Sequence, residues 1–529
     1  MSNNLDNKRE KFSRFCAMAV YVLVLIFMLY LLPASFLGTT DMSTKGVYGE
    51  VVTFRNDNIF LNLIMLIIST AAVYLVFWLV EHVSLRKITS ILMAWTLVAG
   101  IFFVCSAKLQ PSADSHIVTF FARQCAAGDL AYDHEYFKCF PFQLGFVLYE
   151  EIFFRLFYLV LPRAPEGYSS LALQCMNVVW LAVGYFAVLK ATALATRNES
   201  VTKLTAVLLG FFLPPLLFTT YMYGNTPGFA LSILGVWMFL DFQHTRRWLT
   251  GILTAVFFSL AVCIKLNSLI FVVAVGIVWI IRLIKKPQLK SVALLIFTVS
   301  MILCTKSLPQ RFYENRFDDR LGDGVPQISW MAMGMNEGNS CAGWNKNMYT
   351  IQNFREHHYD REITSAVSRE EINNRLQYFR EEPAYAADFV SRKFLSQWNE
   401  PTYQGLWNNQ VRKNYSEPGQ FFDVICHKID GGLTRLMNYY QQLIFFGFTL
   451  GLICLMRNKG IRASIFPLIV LGGLLYHLLF EAKSQYALPY IILMIPVAAY
   501  GFVLLSDRGG EQSGRRKDLP DGQNKKHAA

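Results

Sequence analysis

Runs of apolar residues separated by short polar breaks occupy most of the chain. They fall at 14–36, 58–80, 88–106, 169–190, 204–222, 226–242, 249–265, 267–284, 289–307, 439–456, 461–480 and 487–505. A helix needs roughly 17–25 apolar residues to cross a bilayer, and these runs meet that length. Backbone groups in hydrocarbon have to be satisfied inside their own segment, which predicts helices throughout. The pattern therefore predicts an all-α polytopic membrane protein with about 12 transmembrane helices. The first run, starting near Phe15, is too long for a signal-peptide core and lacks a small-residue cleavage pattern, so it is expected to remain.

The polar breaks define the rest of the organisation. Residues 1–306 form an N-terminal transmembrane module that includes a polar loop at 107–168. Residues 307–438 form a small extracytoplasmic domain, 439–505 the C-terminal transmembrane helices, and 506–529 a disordered cytoplasmic tail rich in Gly and charge. Within 364–398, Ile372, Leu376, Phe379, Phe389, Phe394 and Leu395 mark a helical stripe. The stretch 142–161 is apolar but carries Glu150, Glu151 and Arg155 near its middle. Charges at mid-bilayer are costly, so it is expected to be a juxtamembrane helix lying along the outer interface, its charged face toward water.

Composition agrees with this class and decides the topology. Charged residues make up 16% of the chain and hydrophobic residues 54%, against about 25% charged in a soluble domain. The formal charge of +12 resides in clusters at 8–14, 86–87, 246–247, 285–290, 457–462 and 515–517. Positive-inside topology accounts for them on one side of the membrane, with both termini cytoplasmic in a multi-pass plasma-membrane protein. No nucleic-acid partner is expected, because no soluble domain interleaves aromatic with basic residues. Of ten cysteines, Cys125, Cys139, Cys341 and Cys426 lie in the two large outer loops, two in each. That distribution suits disulfides pairing Cys125 with Cys139 and Cys341 with Cys426 in an oxidising compartment. Four free thiols are the alternative.

The candidate chemistry is concentrated in 110–143, which holds Asp114, His116, Arg123, Asp129, Asp133, His134, Glu135 and Lys138. There Asp114 follows Pro111 just beyond an apolar run, and Phe140, Pro141, Phe142, Gln143, Leu144 and Gly145 lead into the next. Further on come Tyr221-Met222-Tyr223-Gly224-Asn225-Thr226, then Trp330 to Met335 (WMAMGM), then Glu481-Ala482-Lys483-Ser484-Gln485-Tyr486. In their order and shared outer placement these stretches resemble the motifs of GT-C membrane glycosyltransferases. The likeness is to bacterial enzymes related in pattern to protein O-mannosyltransferases and aminoarabinose transferases, and it runs from about Ser90 to Gly501. Asn225 stands where an acid is often found in that family, and Lys483 and Gln485 replace arginines.

The resemblance implies an inverting hexosyltransferase. Its donor would be a polyprenyl-phosphate-linked monosaccharide, its acceptor a cell-envelope glycan or lipid-linked glycan, and its active site extracytoplasmic in the membrane lipid. Asp114 would act as general base, since a carboxylate beside the acceptor hydroxyl can take its proton as the anomeric carbon gains positive character. The departing lipid phosphate calls for cations. Lys265 and Lys483, at outer turns, and Arg311, after a span, are the candidates. Glu481, Tyr486, Tyr223, Asn225 and Trp330 complete the expected substrate-binding set. Aromatic rings at Trp330, Trp344, Trp398 and Trp407 could stack against sugar. No metal-ligand spacing is present; a divalent ion held by Asp114 and a second acid is the cofactor alternative. The competing functions are a lipid-linked glycan flippase or transporter and a glycan polymerase or ligase.

Overall fold

The computed structural model describes residues 2–43, 49–129, 135–458 and 463–509. Asp133 and His134, the end of the basic run 457–462 and most of the tail expected at 506–529 lie outside them. The chain opens with α1 (Ser2–Leu37), a β-hairpin of β1 (Gly38–Ser43) and β2 (Val51–Asn56), α2 (Ile59–Glu81) and α3 (Leu85–Ala107). The polar loop folds into α4 (Ala113–Ala127), α5 (Glu135–Cys139) and α6 (Leu144–Val160). The helices α7 (Glu166–Thr196), α8 (Glu199–Phe211), α9 (Pro214–Leu217), α10 (Asn225–Thr245), α11 (Trp248–Ile264), α12 (Leu269–Lys285) and α13 (Leu289–Phe317) follow. Then come α14 (Gln327–Gly334), α15 (Tyr349–Glu356), α16 (Arg361–Glu381), α17 (Pro383–Trp398), α18 (Gly405–Gln410) and α19 (Gln420–Asp423). The chain closes with α20 (Asp430–Asn458), α21 (Ile465–Leu479) and α22 (Leu488–Gly509).

Among the described residues, eight helices are long and apolar enough to cross a membrane: α1, α2, α3, α7, α12, α13, α20 and α22. A ninth forms if α8 and the segment from Pro214 to Thr220, inclined at 50°, are one broken span. Pro214 and Pro215 explain the bend, because each removes a helix hydrogen bond and restricts the residue before it. The other expected segments are also helical, but α11 and α21 are shorter and α10 falls outside the eight. Ile64, Ile67, Ile68, Leu75 and Leu79 of α2 are exposed, an apolar face that water would not tolerate as a continuous belt. The protein is a multi-pass, all-α membrane protein. Successive helices run up and down, so the turns after α1, α3, α9, α11, α13 and α21 gather at one end. Arg86, Lys87, Arg246, Arg247, Lys285, Lys286 and Lys290 sit at the turns of the other.

Two expectations are corrected. Helix α6 does not turn its acids to water: Glu150 and Glu151 are buried, while Ile152, Leu156, Leu159 and Val160 are exposed. Glu151 accepts from Arg155 (2.7 Å), from Arg316 (2.7 Å) and from the Tyr313 hydroxyl (2.6 Å). A carboxylate with two guanidinium partners can be buried where a lone one cannot, and α13 supplies the missing partner. Nor are the four loop cysteines paired, since all ten thiols are free. Each of the four packs in a different apolar cluster: Cys125 in the main core, Cys139 with Phe140 and Val325, Cys341 with Trp344 and Phe389, and Cys426 with Phe103 and Phe422. Neither expected pair shares a cluster, and the thiols serve as small hydrophobes.

Candidate active site

At the N-terminus of α4 the capping is done by serines. The Ser112 N–H donates to Ser115 Oγ (3.1 Å), whose hydroxyl donates to the Ser112 carbonyl (2.7 Å). Asp114 is thereby released from the capping role that an acid in a first turn commonly takes. Its predecessor Ala113 has φ of 48°, a left-handed conformation costing an L-residue roughly 1–2 kcal/mol. Asp114 is exposed, makes no ion pair among the described residues, and accepts a hydrogen bond from the Tyr223 hydroxyl at 3.3 Å.

Tyr223 is the hub of one wall. Its hydroxyl receives Gln143 Nε2 at 2.5 Å and lies 3.3 Å from that of Tyr136. Lys265 Nζ sits 4.3 Å from the centre of its ring. Two glycines allow this approach. Gly224 follows Tyr223 with φ of +72°, which only glycine adopts without strain. Gly145 lies so close to α11 that a β-carbon there would stand 1.9 Å from the Cys263 carbonyl oxygen. The Gln143 end of α6 is thus locked against the segment carrying Lys265. Gly145→Ala is expected to cost about 1–3 kcal/mol through overpacking and to displace Lys265 from Tyr223. Melting of the detergent-solubilised variant checks this, and an unchanged melting curve would show that the two segments can separate freely.

The opposite wall is the turn between α21 and α22. Lys483 Nζ pairs with Glu50 Oε1 at 3.1 Å, and Gln404 Nε2 donates to the same oxygen at 3.0 Å. The Tyr486 hydroxyl donates to Glu481 Oε2 at 2.9 Å, and Asn225 Nδ2 to Gln485 Oε1 at 3.4 Å. Beneath, the buried Glu400 accepts from the Thr402 N–H (2.9 Å), the Gln404 N–H (2.5 Å) and the Ser484 hydroxyl (2.9 Å), tying the turn to the loop before α18. Burial pushes the Lys265 ammonium down to about 8, with Asp114 and Glu481 opposing. Burial would lower Lys483 too, but Glu50 and Glu481 hold it above the ordinary lysine value, so it remains charged.

The structure therefore brings Asp114, Tyr223, Asn225, Lys265, Glu481, Lys483 and Tyr486 to one end of the bundle. Arg311 is exposed on α13 and takes no part in these interactions. Trp330 packs at a tilt against Phe140 with centroids 5.6 Å apart, in a separate cluster with Val325 and Phe354. Trp344 and Trp398 are wholly buried, so they are core and not a sugar platform. His116 stacks on Phe120, and His357 Nδ1 lies 2.6 Å from the Asn353 carbonyl oxygen. For the alternative of a divalent ion, the described residues offer no group of three or more His, Cys, Asp or Glu able to hold one. Glu50, Tyr136, Gln404 and Glu400 were not singled out from the sequence, and Gln143 stood there only as part of the motif at 140–145. For Glu50 the sole signal was an acid in a loop on the same face as the other motifs.

Compared with protein-family models and with curated proteins, the chain matches none of them. The site defines a class by its chemistry: an exposed carboxylate in electrostatic contact with the buried Lys265, beside a second lysine, Lys483, held by Glu50, at one end of a membrane-crossing helical bundle.

Proposed function

We propose that the protein is a GT-C-like glycosyltransferase that moves a monosaccharide from a polyprenyl-phosphate carrier to a cell-envelope glycan. The supporting observation is that Asp114, which does not cap its helix and makes no ion pair among the described residues, lies within electrostatic reach of Lys265, while Lys483 joins from a segment more than 200 residues away. In this reading Asp114 removes the acceptor hydroxyl proton. The acceptor oxygen bonds to the anomeric carbon, the bond from that carbon to the phosphate oxygen breaks, and the electron pair leaves on polyprenyl phosphate. Lys265 and Lys483 offset the charge on that leaving group. Exposed apolar residues along α6, whose N-terminal end adjoins the site through Gln143, would let a lipid-borne donor approach from the bilayer. On this reading the end that carries the basic residues faces the cytoplasm, as the positive-inside trend favours, and the site and residues 307–438 face outward. The shorter and bent helices complete about 12 spans on this view.

The test is incorporation of label from radiolabelled polyprenyl-phosphate hexoses into acceptors in membranes bearing the full chain. Incorporation above control membranes supports the reading. Its absence with mannosyl, glucosyl and galactosyl donors overturns it in favour of a flippase or polymerase. The proposal also fixes a pH dependence. Lys265 is charged below about 8 and loses its proton above it, so kcat/KM for the donor is expected to fall as pH rises through that value. Lys265→Arg, charged throughout this range, is expected to lack that decline. An identical decline in the arginine variant would remove Lys265 from the donor site.

A further inference from the structure

Beside the α21–α22 turn, the chain between α14 and α17 is anchored to it directly. The Ala482 N–H donates to the Gly343 carbonyl at 2.8 Å, while Lys393 Nζ of α17 donates to the Gly334 carbonyl of α14 at 2.5 Å and ties those two helices together. On the far side of this anchor, α14, α15 and α16 enclose a cleft of about 560 Å³, within the ~300–1,000 Å³ typical of small-molecule sites. Its lining includes Tyr349, Tyr378, Asn336, Asn374, Glu371 and Arg375.

Much of this lining is pre-set. The Tyr349 hydroxyl is held by Glu371 and by Asn353 Nδ2 at 3.3 Å. Arg375 donates through Nε to the Met335 carbonyl at 2.8 Å and lies over the Phe379 and Tyr385 rings at 4.9 and 5.0 Å. Glu337, also in the lining, is bound by Arg392 at 2.8 Å and by the Tyr385 hydroxyl at 2.5 Å. Two acids stand against Arg375 and Lys346, so the cleft has no net charge to select an ion. What it offers is planar amides and carboxylates, which can bridge adjacent hydroxyls, beside phenol rings, which can cover an apolar C–H face. Ordered polar groups lose little entropy on binding.

We propose that this cleft is a subsite for neutral sugar units of the acceptor glycan, remote from the bond being formed. It rests on the transferase reading of the Asp114 site, and the experiment separates the two. Binding of chitohexaose, maltohexaose and mannohexaose to the full chain in detergent is measured by saturation-transfer NMR without donor. At least one is expected to bind, equally well in Asp114→Asn, and about tenfold more weakly in Tyr378→Ala and Asn374→Ala. Both variants lie on exposed positions and are expected to keep the wild-type donor KM. No binding to wild type, or equal binding to both variants, overturns the subsite whatever the transfer assay shows. Cleft-dependent binding without transfer from any donor supports the subsite while the transferase reading falls.

Discussion

Asp114→Asn is expected to lower transfer by about 10²–10⁴-fold, the usual contribution of a general base, while carrier binding is retained. Asparagine keeps the shape and can still accept from Tyr223, whose hydroxyl meets Asp114 Oδ2 at 3.3 Å. The cap of α4 does not depend on residue 114 because Ser112 and Ser115 supply it. Loss of activity would therefore report on proton removal and not on folding. Tyr223→Phe offers a graded companion: it removes the bond that orients Asp114 but leaves the ring under Lys265, 4.3 Å from its ammonium. It is expected to reduce kcat by about tenfold, the worth of one hydrogen bond to a charged group, with donor KM unchanged. Equal incorporation by wild type and Asp114→Asn at matched expression would remove Asp114 from the chemistry.

Lys483→Met is expected both to destabilise the fold and to abolish donor binding. The lysine is four-fifths covered and Glu50 slightly more so. Removing it leaves Glu50 and Glu481 near one another with no cation between them. Breaking a buried pair from one side costs about 3 kcal/mol at the low end of the usual range. Glu50→Gln in the same chain removes one of the two acids, and Gln404 Nε2, 3.0 Å from Glu50 Oε1, can still donate to the amide oxygen. The double variant is expected to recover most of the thermal stability but none of the transfer. If it transfers normally, Lys483 is a structural partner of Glu50 and the carrier phosphate lies elsewhere. If the single variant melts like wild type, the pair contributes nothing to the fold.

How far these residues could be read from the chain varies with the range of the interaction. Asp114, Lys265 and Lys483 stood out because each is a charged residue next to an apolar run, a signal carried within a few positions. Gln143 and Glu50 gave no such signal. Gln143 matters because Tyr223 comes to it, and Glu50 because Lys483 does. The orientation of α6 was misjudged for the same reason. Its apolar and charged positions were visible, but Arg316, which makes burial of Glu151 tolerable, lies 165 residues away. The even division of four cysteines between two loops invited pairing, whereas packing sent each thiol to a different apolar cluster. The tryptophans were likewise visible as large rings, but nothing local distinguishes a ring that fills a core from one that faces a ligand.

The sequence by itself determined that this chain is helical and crosses a membrane. Both follow from uninterrupted apolar runs, whose backbones have to bond internally wherever they are placed in lipid. A break at Gly224 was legible because it separates two apolar runs. The bend at Pro214 and Pro215, by contrast, falls inside the single run expected at 204–222, and Pro33, Pro309 and Pro496 stand inside continuous helices. Only the tertiary structure decided which polar turns face one another, which acids are buried with partners, and that Tyr349 and Tyr378 share a cleft. Those outcomes depend on how helices far apart in the chain pack, and the side chains that meet there leave no periodic trace in the sequence.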